Sequence, residues 1–133
     1  MTRKIEDLAR HYLLNQFTHA DYRFHPKEPG DRGFDLWLEQ NGEPRQKVEL
    51  KATKARYLRP SNIFAQLVFN AKIERQLFES GETVIVRVFM GSSPPQVFIV
   101  TNAVLSSGAR LKEEARYVLC GKLNYEDSIT SLG

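Results

Sequence analysis

Cysteine is nearly absent from this chain of 133 residues, which contains one, Cys120. A single cysteine forms no disulfide within the chain and suits a reducing compartment. Long apolar runs are missing too, since no stretch approaches the roughly 18 residues that a membrane span needs. The first residues, MTRKIED, lack the apolar segment of a secretory signal. The sequence therefore predicts a cytoplasmic protein with no membrane partner.

Glycine and proline are not enriched, because the chain has only 8 and 6 of them, and this excludes collagen-like repeats. Hydrophobic residues make up 41% and charged residues 26%, which is the balance of a globular rather than a disordered protein. The length suits a single domain that covers residues 1–133. The chain also has little excess of one charge over the other. The net charge of +3 permits a nucleic-acid partner without requiring one.

Apolar residues at helical spacing predict an amphipathic first helix over residues 2–17. Glu6 departs from this pattern because it projects between Leu13 and Phe17, at the edge of the apolar side. An unpaired carboxylate is costly there. Two explanations remain open: the glutamate reaches solvent from the rim of the core, or it points at a polar site on the sheet below.

The rest of the pattern predicts an α/β fold in which a mixed central sheet is flanked by helices. The order is a helix, three strands, a helix and two strands. The strands are expected at residues 21–25, 34–39, 47–53, 83–89 and 96–101. The second helix is expected to begin at Ser61 or Asn62, to run to Glu79 and to end at Gly81. A short helix after Asn102 and an extended stretch at residues 117–119 complete the prediction.

The connection between the second and third strands decides which side chains share a face of the sheet. Asn41 and Gly42 mark a turn, and a two-residue turn would set Asp35 opposite Val48. A loop of three or five residues, or a bulge, would set Asp35 opposite Glu49 or Lys51 instead. Since a proline follows the turn and cannot donate to a strand ladder, we predict an irregular connection.

Asp35, Glu49 and Lys51 form the pattern D-x13-E-x-K across this hairpin. If both carboxylates lie on one face, they offer a hard-oxygen site that suits Mg²⁺ or Mn²⁺, and the Leu50 carbonyl adds a third oxygen. Lys51 beside the metal would orient or deprotonate a water, or stabilise charge on a phosphate. These components suit the hydrolysis of a phosphodiester bond.

The same residues resemble the PD-(D/E)XK nuclease superfamily, which has the restriction-endonuclease-like fold, and in particular its Holliday-junction resolvases and modification-dependent restriction enzymes. The resemblance covers residues 2–101. It implies that Asp35 and Glu49 are metal ligands, that Lys51 is the catalytic lysine, and that Glu6 contacts the metal through water. Phe34 stands where the nominal motif has proline. Relatives of the exonuclease type carry Gln and Tyr four residues apart on the next helix, whereas here Gln66 is followed by Asn70.

The segment after the third strand is basic. Lys54, Arg56 and Arg59 occur with Tyr57 in a stretch that contains no acidic residue. Such a loop suits binding to a phosphate backbone, with the tyrosine stacking on a base or donating to a phosphate. It supplies affinity rather than sequence specificity.

We therefore expect a Mg²⁺-dependent endodeoxyribonuclease. One protomer covers little of a duplex, so cleavage of both strands suggests a homodimer. The alternative is a non-catalytic nucleic-acid-binding module or subunit that retains the fold. A structural interaction domain is a third possibility, favoured if the faces of the hairpin diverge. The broad apolar surface of the second predicted helix leaves room for a subunit contact.

Overall fold

The computed structural model describes residues 2–106, 109–113, 117–120 and 129–132. Helix α1 (Thr2–Asn15) comes first, and its apolar side is buried at Ile5, Ala9 and Leu13. These positions lie four residues apart, which is the spacing that the sequence pattern predicted. The helix therefore packs on the sheet through the predicted face.

Within the described residues the main sheet has six strands in the order β1-β2-β3-β5-β6-β9. Strands β3 and β5 are parallel, and the other neighbours are antiparallel, so the sheet is mixed as predicted. Its strands are β1 (Tyr22–Pro26), β2 (Leu36–Gln40), β3 (Gln46–Thr53), β5 (Thr83–Phe89), β6 (Gln96–Val100) and β9 (Ile129–Ser131). A smaller antiparallel sheet contains β4 (Val68–Phe69), β8 (Tyr117–Cys120) and β7 (Arg110–Glu113) in that order.

The main sheet is covered on both faces. On one face, Val48 and Leu50 of β3 join Ala9 and Leu13 of α1 in a shared apolar core. On the other face, Phe78 of helix α2 (Lys72–Ser80) joins a second core with residues of β5 and β6. All seven residues of β5 are buried, as expected for a central strand covered on both sides.

The single long helix predicted to begin at Ser61 or Asn62 is wrong. The segment instead forms a 3-10 helix (Pro60–Phe64), strand β4 and the nine-residue helix α2. Gln66 has a φ of +56°, which a regular helix does not allow, and β4 then pairs with β8. Phe64, Leu67, Phe69 and Phe78 are consequently buried in the second core, so most of this apolar surface packs within the chain, although Ile73 stays exposed.

Several of the remaining elements agree with the prediction, whereas strands β4, β7 and β9 were not predicted. Helix α2 ends at Gly81, whose φ of +85° suits the left-handed position that ends many helices. A 3-10 helix (Asn102–Leu105) and strand β8 occupy the places where a short helix and an extended stretch were expected. Among the described residues, no helix has both the length and the apolar character needed to cross a membrane.

Candidate functional site

The pairing of β2 with β3 brings Asp35 next to Glu49. Leu36 lies opposite Val48 and Leu38 lies opposite Gln46, with residues 41–45 forming the connection between the strands. The prediction that this is not a plain two-residue turn is confirmed. The paired residues end at Leu36 and Val48, so Asp35 lies just outside the ladder. Its negative charge still raises the pKa of Glu49, which indicates that the two carboxyl groups are neighbours.

Asp35 itself lies just before β2 and completes the ladder with its side chain. Its backbone N–H donates to the Val48 carbonyl at 2.8 Å. The next donor along β3, the Leu50 N–H, donates to Asp35 Oδ2, also at 2.8 Å. The carboxylate thus replaces a backbone acceptor where β2 leaves β3. These two bonds hold Asp35 at the edge of β3.

Glu49 and Lys51 alternate along β3 and share one face of the sheet, where they are only 6% and 5% exposed. Lys51 Nζ lies 3.5 Å from Glu49 Oε2. The face is the one that α2 and the second core cover, so both charges are removed from most of the solvent. Buried charges are retained only where partners compensate them.

Glu74 of α2 is a second partner of this lysine, and sequence reasoning missed it. Lys51 Nζ donates to Glu74 Oε1 at 3.2 Å, and the same oxygen accepts the Asn70 N–H at 3.1 Å. Lys51 Nζ also lies 5.8 Å from the centre of the Phe69 ring. Nothing in the local sequence marks Glu74, because its role depends on β4 turning the chain back over β3.

Glu6 belongs to the same site. It lines a cavity of about 80 Å³ together with Lys51, Gln66 and Arg87. Burial raises the pKa of Glu6, with further upward contributions from Asp35 and Glu74, while Lys51 and Arg10 oppose the rise. Of the two explanations for this glutamate, the position agrees with the one that points it at a polar site.

Four carboxyl groups lie in this region. Glu49 and Glu74 contact the ammonium group of Lys51, Glu6 interacts with it electrostatically, and Asp35 interacts with Glu6 and Glu49. Burial is the main reason that the pKa of Glu49 rises to about 8, and repulsion from Asp35 and Glu74 adds to it. Lys51 lowers this pKa but does not offset the rise. At neutral pH Glu49 is therefore mainly protonated, and a further positive charge would favour its ionised form.

The donor set suits a hard divalent cation, since it consists of carboxylate oxygens with a backbone carbonyl at Leu50. Within the described part of the chain, however, no three acidic, histidine or cysteine side chains already converge at metal-binding distances. Asp35 is engaged with the Leu50 N–H and Glu49 with Lys51. A cation would have to draw the carboxyl groups together, displacing the proton of Glu49 and its 3.5 Å contact with Lys51.

The predicted nucleic-acid-binding residues follow β3 on an extended loop. Lys54, Arg56 and Arg59 are exposed. Tyr57 is half-buried, with its ring centre 4.7 Å from that of Phe98, so this side chain anchors the loop on the core. Its proposed contacts with bases or phosphates stay a prediction.

Arg87 is the second residue that sequence reasoning missed. It lies on β5 opposite Lys51 and is 3% exposed. Burial lowers the pKa of Arg87 to about 10, while Glu6 acts in the opposite direction, so the guanidinium stays charged at neutral pH. The sequence did hold a signal: Arg87 is the only charged residue of the otherwise uncharged strand TVIVRVF.

No family model, curated protein or solved structure matches the chain. The chemistry of the site therefore rests on its own residues. What they define is an α/β protein with a partly buried cluster of carboxylates and one lysine, located where β2 separates from β3.

Proposed function

We propose that the chain is a small metal-dependent nuclease that hydrolyses phosphodiester bonds in DNA, with the restriction-endonuclease-like fold of the PD-(D/E)XK superfamily. One observation carries the proposal: Asp35 accepts from the N–H of Leu50, the residue between Glu49 and Lys51, and Lys51 Nζ lies 3.5 Å from Glu49 Oε2. This is the arrangement of two carboxylates and one lysine that the D-x13-E-x-K pattern requires. Glu6, which lines one cavity together with Lys51, supports the proposal as a fourth polar group.

Asp35, Glu49 and the Leu50 carbonyl would hold Mg²⁺ or Mn²⁺ in this proposal. When bound, such an ion lowers the pKa of a coordinated water and offsets charge that develops on the phosphate. Lys51 donates to the attacking water and keeps it in line with the phosphorus atom. Glu6 accepts a hydrogen bond from a second water, and the exposed loop with Lys54, Arg56 and Arg59 binds the neighbouring backbone. Cleavage of both strands of a duplex would use a homodimer.

The test is incubation of the protein with plasmid, linear and four-way-junction DNA in the presence of Mg²⁺ or Mn²⁺. We expect cleavage by the wild type and a loss of at least about 100-fold in Lys51→Ala, which is the usual scale for removing a proton-transfer group. Lys47→Ala is the matched control. Lys47 lies on the same strand and face, where its ammonium group lies 5.4 Å from the centre of the Phe34 ring.

Lys51→Ala leaves the buried Glu49 and the half-buried Glu74 without their cation, so Asp35→Asn provides a second variant that is gentler on the fold. The amide oxygen of asparagine still accepts the Leu50 N–H, while the charge needed for a metal ligand is lost. Cleavage that survives in a folded Lys51→Ala or Asp35→Asn protein would contradict the proposed roles.

One observation favours a non-catalytic nucleic-acid-binding module as a second candidate. Lys51 is buried and already paired with both Glu49 and Glu74, as a lysine with a purely structural role would be. The two candidates differ in their response to a chelator. The module would bind DNA equally well in EDTA and leave it intact after Mn²⁺ is added, whereas the nuclease cleaves once the metal is supplied.

A further inference from the structure

Arg87 is a buried cation, and one of its three donor nitrogens is buried without a partner among the described residues. One of its amino groups donates to the Ala65 carbonyl. Its Nε has no hydrogen-bond partner among the residues that the structure describes, and no carboxylate there forms a salt bridge with it. A guanidinium group has five N–H donors, and leaving a buried donor unsatisfied is costly. Such a group is suited to an anion that arrives from outside.

Two cavities meet at Arg87. The smaller one is the cavity of about 80 Å³ that contains Glu6 and Lys51. The larger one, of about 310 Å³, is lined by Arg56 of the basic loop and Phe89 of β5. Gln66 and Arg87 line both cavities. They therefore form the boundary between the carboxylate cluster and the basic loop.

The larger cavity is electrically unlike the smaller one. Arg56 and Arg87 both line it, and no acidic residue does so within the described part of the chain. The carboxylates lie on the far side of Arg87, with Glu6 in the smaller cavity. The polar groups that remain are amides and one hydroxyl, from Asn62, Gln66 and Thr53. Cations and neutral donors without a carboxylate are the typical surroundings of a bound phosphate.

Gln66 occupies this boundary in a backbone conformation that glutamine rarely adopts. Its φ is +56°, the left-handed region that favours glycine. Strained positions of this kind persist when the surrounding structure imposes them, and they concentrate at functional sites. The preceding residue, Ala65, is the one whose carbonyl accepts from Arg87. The turn thus keeps the Gln66 side chain at the junction of the two cavities.

We propose that the larger cavity binds a phosphate group of the DNA strand, adjacent to the phosphodiester group that is cleaved, through Arg87, Arg56 and the Gln66 amide. This inference rests on the proposed function for the identity of the strand. It adds a direction: the strand passes from the carboxylate cluster, beside Gln66, toward the basic loop. The volume of about 310 Å³ admits a phosphate together with part of its sugar, since it equals roughly ten water molecules in the liquid.

The test measures binding without cleavage. A fluorescein-labelled single-stranded 12-mer is titrated with the protein in EDTA, and the anisotropy is followed at several salt concentrations. We expect Arg56→Gln and Arg87→Met to weaken binding about tenfold each and to lower the salt dependence by about one released ion, as the loss of one phosphate contact does. Arg45→Gln is the charge-matched control, because Arg45 is exposed and lines a separate cavity at the β2–β3 connection. It should change binding less than about twofold.

Gln66→Gly keeps the proposal testable if Arg87→Met fails to fold. Glycine relieves the unfavourable φ, so we expect an unchanged or higher Tm together with weaker binding of the 12-mer. Binding that stays at the wild-type level in folded Arg56→Gln and Gln66→Gly would overturn the inference, as would no binding by the wild type. An equal loss in Arg45→Gln would overturn it too, because the effect would then reflect net charge alone.

Failure of the nuclease proposal gives a different result. If the 12-mer binds in the expected pattern and no DNA is cleaved with Mn²⁺, the phosphate site stands and the catalytic role falls. If DNA is cleaved but substitutions at Arg56, Gln66 and Arg87 leave binding of the 12-mer unchanged, the nuclease proposal is supported and the phosphate site is contradicted.

Discussion

At the scale of single residues, the most unusual feature is the excess of buried negative charge around Lys51. Glu49 is almost fully buried and has Asp35 and Glu74 as electrostatic neighbours. Burial is the main reason that the pKa of Glu49 rises to about 8, and these like charges raise it further while Lys51 opposes the rise only in part. A fold that needed only stability would gain from an apolar residue at this position. The cluster therefore costs stability, which is typical of a functional site.

Glu49→Gln should remove a pH-dependent loss of stability. Between the ordinary pKa of 4.5 and the folded value of about 8, native Glu49 holds a proton that the unfolded chain releases. The native state therefore binds more protons, and the free energy of unfolding falls as pH rises through this window. Thermal unfolding in EDTA from pH 5 to 9 should show Glu49→Gln overtaking the wild type by at least about 5 °C at the alkaline end.

The control for this measurement is Glu43→Gln, at an exposed carboxylate in the β2–β3 connection. It should follow the wild-type pH profile. If Glu49→Gln also follows the wild-type pH profile, the pKa of Glu49 is not raised in the folded protein.

Glu74 is expected to act as a positioning residue for Lys51. Its Oε1 accepts from Lys51 Nζ and from the Asn70 N–H, and a glutamine at this position keeps an acceptor while losing the charge. Glu74→Gln should lower kcat for DNA cleavage by about tenfold and leave KM within about twofold, because it loosens Lys51 without touching the bound strand. Steady-state kinetics with a linear duplex check this.

Glu79→Gln is the matched control on the same helix, since Glu79 pairs with Arg75 at 3.0 Å. A rise in KM with an unchanged kcat in Glu74→Gln would mean that Glu74 serves substrate binding instead.

At the scale of elements, the site exists because β2 and β3 separate at Asp35 while β3 continues to Thr53. The basic loop that follows β3 is held close to the end of β5. Met90 N–H donates to the Thr53 carbonyl at 2.9 Å, and Gly91 N–H donates to the Ala55 carbonyl at 3.1 Å. This approach sets the position of the loop relative to the carboxylates.

Gly91→Ala should displace the basic loop. A Cβ at Gly91 would lie 2.7 Å from the Ala55 carbonyl carbon and 2.8 Å from its oxygen, and backbone atoms at such distances have to move. Overpacking of this kind costs about 1–3 kcal/mol. We expect a lower Tm and weaker binding of the 12-mer, measured by thermal unfolding and fluorescence anisotropy.

Gly30→Ala provides the comparison, because a Cβ at Gly30 meets nothing within 4 Å. If Gly91→Ala behaves like Gly30→Ala in both measurements, the close contact between the loop and β5 does not control the binding surface.

The periodic elements were predictable from sequence, and the irregular ones were not. Helix α1 has apolar residues at helical spacing and strand β5 is a nearly continuous apolar run, so local sequence alone indicates both elements. The predicted long helix failed because its apolar residues suit several kinds of buried element. The turn at Gln66 and the pairing of β4 with β8 depend on distant parts of the chain.

The site was predictable to the same extent. Glu49 and Lys51 alternate along β3 and Asp35 immediately precedes β2, so strand periodicity and an irregular connection were enough to expect the three side chains near one another. Glu74 and Arg87 reach the site through the path of the chain after β3, which no local pattern encodes. Of these two, only Arg87 leaves a trace in the sequence, as a charge within a buried strand.

At the scale of the whole molecule, negative charge lies on only one side of the junction at Arg87. The net charge is only +3, yet Glu6 lines the smaller cavity beside Lys51, whereas the larger cavity has Arg56 and no acidic residue among the described ones. This polarity suits a protein that holds a divalent cation and a phosphate chain next to each other, because each attracts the opposite side. The homodimer expected for cleavage of both strands stays a prediction.

The most direct measurement is a titration of the metal-free protein with Mn²⁺ near pH 8, following the electron paramagnetic resonance signal of the free ion. The wild type and the control Lys47→Ala should each take up one ion per chain, and Asp35→Asn should lose at least about tenfold in affinity. The absence of Mn²⁺ uptake by the wild type, or equal uptake by Asp35→Asn, would contradict the claim that Asp35 and Glu49 share a divalent ion.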